Sequence, residues 1–151
     1  MQFEIVPKQE TIPAFDAQAI KIKHIVYYPA RDGEYEQEQI TETLISSILC
    51  QIPKGINVIL SLDPYGEEDY FEIICDGEWL SLAYFSDNEQ QYESYNADFA
   101  ETKELTPLLS GGQSPVEKCF TVQDIASGVK AAEYFIRTGK LYPGIDWTHI
   151  L

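Results

Sequence analysis

Tyr70-Phe71-Glu72-Ile73-Ile74-Cys75-Asp76-Gly77-Glu78-Trp79-Leu80-Ser81-Leu82-Ala83-Tyr84-Phe85 reads as two β-runs around a turn. Tyr70 to Cys75 and Trp79 to Phe85 are rich in aromatic and β-branched residues, and Asp76-Gly77-Glu78 joins them. An Asp-Gly pair between such runs is a strong short-range hairpin signal, because glycine accepts the positive φ that a tight turn demands. The fold is therefore read outward from an antiparallel pair at the middle of the chain.

On the N-terminal side, Asn57-Val58-Ile59-Leu60-Ser61-Leu62 is a candidate for a buried strand, and the acidic stretch Asp63-Pro64-Tyr65-Gly66-Glu67-Glu68-Asp69 then turns into the hairpin. Phe3 and Ile5 alternate with polar neighbours as in a short strand, and residues 20–28 form a second β-rich run stopped by Pro29. Arg31-Asp32-Gly33 reads as a turn. From Glu36 the period changes. Ile40, Leu44, Ile45, Ile48, Leu49 and Ile52 recur at three- and four-residue steps, which predicts a helix over Glu36–Ile52 ended by Pro53 and Gly55.

Beyond the hairpin, Gln91 to Tyr95 adds a further strand candidate, residues 108–115 read as a loop, and Val116 to Phe120 reads as an edge strand. A second helix is predicted from Val122 to Thr138. Val122, Ile125, Val129, Ala132 and Ile136 lie on one face, Thr121 stands at the N-cap, and Gly139 follows as a left-handed C-cap. The expected architecture is a single α+β domain over residues 1–151. It has an antiparallel sheet of five to six strands with two main helices packed on it.

Length and composition agree with one folded domain. The chain has 151 residues, of which 44% are hydrophobic and 13% aromatic, enough apolar surface to offset chain entropy. The start of the sequence shows no basic segment followed by an apolar run, so no secretory signal is read there, and no apolar run approaches the ~20 residues of a membrane span. Cys50, Cys75 and Cys119 are odd in number and widely spaced, unlike a disulfide framework or a metal clip, and a reduced cytoplasmic setting follows.

Charge is the most distinctive feature. Asp and Glu number 25 against 10 Lys and Arg, a net charge of −15. Residues 63–104 hold 13 of the acids and one base, Lys103, which is a net of −12 in 42 residues. Nucleic acid and anionic membranes repel such a surface, whereas a basic protein is attracted to it. The plain alternative is a solvated acidic face that only aids solubility.

Tests for chemistry return little. His24 and His149 lie far apart with no second ligand at metal spacing, so neither a metal nor a cofactor is expected. Ser61, Ser81 and Ser86 lack a nucleophile setting, and Gly111-Gly112-Gln113-Ser114 lacks the lysine of a phosphate loop. Carboxylate pairs such as Asp76 and Glu78, or Asp63 and Glu68, leave an acid–base hydrolase as an alternative. A nucleic-acid mimic is another, and no catalysis is the reading preferred.

The second half of the chain resembles a family of bacterial immunity proteins, the first-numbered family of polymorphic toxin systems. The resemblance rests on the Asp76-Gly77-Glu78-Trp79-Leu80 turn and on Ala131-Ala132-Glu133-Tyr134-Phe135-Ile136-Arg137-Thr138-Gly139 followed by Pro143-Gly144-Ile145-Asp146-Trp147. It spans roughly residues 40–148. It implies a cytoplasmic inhibitor, as in contact-dependent inhibition, that binds the toxin domain encoded beside it. Toxins of such systems are often nucleases or nucleic-acid deaminases with basic grooves, which an acidic surface would fit. The expected partner surface centres on Asp63, Tyr65, Glu67, Glu68, Asp69, Asp76, Glu78, Asp87, Glu89, Tyr92, Glu93 and Tyr95. There carboxylates would steer the encounter and tyrosines would anchor it.

Overall fold

A computed structural model describes residues 2–28 and 33–151. Most of the predicted Arg31-Asp32-Gly33 turn lies outside the described residues. The strands run in chain order as β1 (Phe3–Val6), β2 (His24–Tyr28), β3 (Glu34–Glu36), β4 (Ile56–Ser61), β5 (Tyr70–Cys75), β6 (Leu80–Phe85), β7 (Gln91–Ser94), β8 (Leu105–Ser110), β9 (Ser114–Glu117) and β10 (Trp147–Ile150). Two helices, α1 (Glu42–Gln51) and α2 (Ile125–Thr138), complete the α+β fold.

Among the described residues eight strands form one antiparallel sheet in the order β1-β10-β7-β6-β5-β4-β2-β3, and β8 pairs only with β9. This is more than the five to six strands expected. The central hairpin stands where the sequence puts it, with Cys75 opposite Leu80 and Gly77 at φ 93° in the turn. Asp76 shapes that turn by accepting hydrogen bonds at Oδ1 from the Glu78 and Trp79 amides, at 2.9 and 2.7 Å.

Strand β5 shows why the sheet needs two covers. Residues 71 to 75 are all buried, so both faces of the strand are excluded from water. One face presents Phe71, Ile73 and Cys75 with Val58, Leu60, Leu80 and Leu82 to the two helices, which answer with Ile45, Ile48, Ala131, Ala132, Phe135 and Ile136. The other face presents Ile74, which packs with Leu108 of β8, Val116 of β9, Tyr95, Cys119 and Phe120. Residues 108–115, read from sequence as a loop, are thus largely strand and turn of a covering hairpin. Val116–Phe120, read as an edge strand, divides into the end of β9 and a 3-10 turn over Lys118–Phe120.

Both helices are shorter than periodicity alone suggests, because side-chain caps set their ends. Thr41 accepts from the Leu44 amide and opens α1, while Glu36 and Gln39 close a separate 3-10 turn before it. In α2 the N-cap is Asp124, whose Oδ1 accepts from the Ser127 amide at 2.7 Å. Thr121, the expected cap, instead donates its hydroxyl to the Lys118 carbonyl, and the Val122 amide is tied to Leu80 of the sheet. Val122 still reaches the core, from the residue pair before the cap. Gly139 ends α2 in the left-handed conformation at φ 72°.

Gly128 lets α2 approach the sheet. A Cβ at that position would lie 2.8 Å from Leu80 Cδ2, inside contact distance. At the far end of the helix Arg137, 5% exposed, makes a bidentate ion pair with Glu42 of α1 at 2.7 and 2.8 Å. Trp147 is buried as the first residue of β10, which inserts between β1 and β7. His149 is therefore a strand residue opposite Tyr92. Among the described residues no helix is long and apolar enough to cross a membrane.

Phe135 has no exposed surface and stacks on Phe71 at 4.4 Å between ring centroids. Phe135→Ala should therefore lower unfolding stability by about 3–5 kcal/mol, read by denaturant titration. A loss below about 1 kcal/mol would show that α2 does not seat here.

Candidate functional site

The antiparallel order brings two acidic loops to one end of the sheet. Strand β4 runs into the segment 62–69 and β6 runs into 86–90, so both connections emerge at the same rim. Leu62, Asp63, Glu68, Asp69, Tyr84 and Asp87 line one cleft of about 140 Å3 between them. Asp76 and Glu78 lie at the other end of β5, about 17 Å along the strand, in the β5–β6 turn. The twelve candidate residues thus do not form one surface.

The rim carboxylates divide into two kinds. Asp69 is 4% exposed and is held by the Leu62 amide, at 3.2 and 3.1 Å to its two oxygens, and by the Asp63 amide at 3.1 Å. Burial pushes its carboxyl up, against those hydrogen bonds, and the nearby charges of Asp63 and Asp87 push it the same way. Asp63 accepts at Oδ2 from the Glu67 amide at 2.6 Å and the Glu68 amide at 3.2 Å. The Glu67 amide above all holds that carboxyl below its usual range. These two side chains build the loop from inside. Gly66 completes it over His24, where a Cβ would lie 2.6 Å from Nδ1.

Glu67, Glu68, Asp87 and Glu89, by contrast, point to water. Tyr65 stands at the loop tip with 78% of its surface exposed. Glu89 occupies the left-handed region at φ 65°, held in its turn by its amide to the Ser86 carbonyl and by Ser86 to Gln90. A side chain there carries strain that glycine would avoid. Tyr84, at the cleft wall, has its phenol pushed up to about 12 by burial first and then by Asp69 and Asp87.

The remaining candidates sit elsewhere. Tyr95 is 8% exposed and packs near Phe3, with ring centroids 6.1 Å apart, so the expected exposed anchor is a core residue of the second apolar cluster. Its place one residue past the end of β7, among acidic and polar neighbours, conceals this from a sequence reading. Tyr92 is half-buried, stacks on His149 at 4.7 Å and leans on the main core. Glu93 turns to the opposite face.

There Glu93 meets an unexpected group. Cross-strand register aligns Ile59, Glu72, Ala83, Glu93 and Thr148 in one row beneath the β8–β9 hairpin. Burial first, then Glu117 of β9 and Glu72 of β5, push the Glu93 carboxyl up to about 7. Glu72 is 7% exposed and holds the hairpin tip, accepting from Ser110 Oγ at 2.7 Å and from the Gly111 amide at 3.0 Å. Sequence reading passes over Glu72, because an acid inside a strand run looks like the polar half of an alternation.

Among the described residues no group of three or more His, Cys, Asp or Glu side chains could hold a metal ion. His24 instead pairs with Glu34 at 3.1 Å. No family model, curated protein or solved structure matches this chain.

Glu93 generates a pH prediction. A carboxyl raised above its unfolded value of about 4.5 binds a proton in the native state that the unfolded chain has released, so stability falls as pH rises from about 4.5 to 7. Glu93→Gln should remove that slope and stabilise the protein by about 2–3 kcal/mol at pH 8, with little effect at pH 4. Equal denaturation midpoints for variant and parent at pH 8 would refute the assignment.

Proposed function

We propose that the protein is a toxin-neutralising immunity protein of the bacterial cytoplasm, acting by binding rather than by catalysis. Its partner is a toxin domain with a basic substrate groove, of the nuclease or nucleic-acid deaminase kind. The observation that carries this reading is the convergence of the Asp63–Asp69 and Asp87–Gln90 loops at one rim, where the two loops carry four exposed carboxylates and the exposed Tyr65.

The physics supports a docking surface better than a reaction centre. The buried acid of the cleft, Asp69, spends its oxygens on the backbone of its own loop, so it is poorly placed to exchange protons with a substrate. The free acids Glu67, Glu68, Asp87 and Glu89 lie on solvated loops, where they raise encounter rates with a cationic partner more than they strengthen a formed contact. Tyr65, on the same loop as Glu67 and Glu68, supplies the apolar area that charge alone lacks. Loops held by their own hydrogen bonds also lose little entropy on docking.

The test uses the toxin-like domain encoded next to this chain. Replacing Glu67 and Glu68 with Lys, while leaving the loop-building Asp63 and Asp69 intact, should slow association at low salt by at least about tenfold and flatten its salt dependence. Tyr65→Ala should act mainly on dissociation. Association rates unchanged by the charge reversal would move the interface off this rim.

A further inference from the structure

A second feature lies on the opposite face from the helices. Between the sheet and the tip of the β8–β9 hairpin is a cavity of about 300 Å3, lined by Asn57, Val58, Ile59, Glu72, Gly111 and Gly112. Glu72 forms its charged wall. The carboxylate is 7% exposed, and its oxygens each accept one hydrogen bond from the hairpin tip, Oε1 from Ser110 Oγ and Oε2 from the Gly111 amide. Among the described residues no Lys, Arg or His pairs with it. Glu93, two strands away in the same row, supplies no compensating positive charge, and Glu117 of β9 lies close to Glu93.

Buried carboxylates are ordinarily matched by a cation, because hydrogen bonds alone leave much of the desolvation penalty in place. Here the balancing charge is missing on the cavity side. The rest of the lining suits an aliphatic stem and a few hydrogen bonds: Ile59 supplies apolar surface, and Asn57, half-buried on the same face, supplies an amide. The tip adds backbone without side chains at Gly111 and Gly112, whose φ of 59° and 75° favour glycine. A cavity of this volume is at the lower end for ligand sites, large enough for one side chain or a small amine but not for a nucleotide. Anionic ligands are disfavoured by the Glu72 carboxylate.

We propose that this cavity binds a single guanidinium or ammonium group on a short aliphatic stem, with Glu72 as the charge partner and Ile59 packing the stem. The site is separate from the acidic rim, and it stands whether or not the rim binds a toxin. The cation would come either as a free small molecule or as an Arg or Lys side chain that another protein presents.

The experiment is a titration of the labelled full chain with n-butylguanidinium, followed by amide NMR. Saturable shifts are expected at Asn57, Glu72, Gly111 and Gly112, and none with neutral n-butylurea. Glu72→Gln keeps an acceptor for the tip and should weaken binding by at least about tenfold. Ile59→Phe fills the cavity without touching the carboxylate and should abolish the shifts while the spectrum stays folded. The capped peptide acetyl-Gly-Arg-Gly-amide separates the sources. Binding of both probes favours a presented side chain, and binding of n-butylguanidinium alone favours a free ligand. Shifts that n-butylurea reproduces, that persist in Ile59→Phe, or that fail to saturate with either cation would overturn the site.

Discussion

The contact between Phe71 and Phe135 organises the molecule. The rings stack at 4.4 Å with 18° between their planes, and Phe71 also meets Trp147 edge-on while both rings lie near Tyr84. One aromatic group therefore joins β5, β6, β10 and α2. Each ring pair adds about 0.5–1.5 kcal/mol beyond its buried area, and together they fix where the helix crosses the sheet. The two rim loops leave the sheet from strands that this contact holds, since β4 and β6 flank β5. Their separation is set by strand spacing rather than by contacts between the loops themselves. Loops placed on a rigid base in this way acquire a defined geometry.

The two covers of the sheet differ in kind. The helical cover is almost wholly apolar, apart from the Arg137–Glu42 pair at its edge. The β8–β9 hairpin is seated on a smaller apolar cluster and on polar ties: two hydrogen bonds from its tip to Glu72 and, in the 3-10 turn that follows it, the Phe120 carbonyl accepting from the Ser81 and Ser94 hydroxyls. It also covers Glu93, a carboxyl that burial and like charge drive toward protonation. A layer that traps unmatched acids is less strongly held than one that buries only carbon. Local opening should therefore favour the hairpin over the helices.

How much of this could be read from sequence depended on how local the determining forces are. The Asp76-Gly77 turn and the strands around it stand within a residue of their predicted bounds, because turn chemistry and β-rich runs act over a few positions. The helical faces were legible for the same reason, but their starts were not. Thr121 and Asp124 are both able caps, and the choice between them was made by the tie of Val122 to Leu80, 42 positions away. The missing strands have the same origin. β8 carries Pro107 and only partial alternation, and β10 has four residues, so neither is recognisable until it has a partner strand.

The candidate site was legible as charge and not as geometry. Counting acids treats every carboxylate as available, yet a short side-chain acid next to a turn can be consumed by the turn. Asp63, Asp69 and Asp76 all accept two or more backbone hydrogen bonds from residues within seven positions, whereas Glu67, Glu68 and Glu89 make no such bonds. The distinction follows from length. Aspartate reaches its own neighbouring amides without strain, and glutamate, one methylene longer, loses more entropy to do so. In an acidic loop the aspartates therefore tend to give shape and the glutamates to give field. The −12 of residues 63–104 overstates what a partner would meet at the rim by the charges that hold its loops and by those, such as Glu72 and Glu93, that face the other side of the sheet.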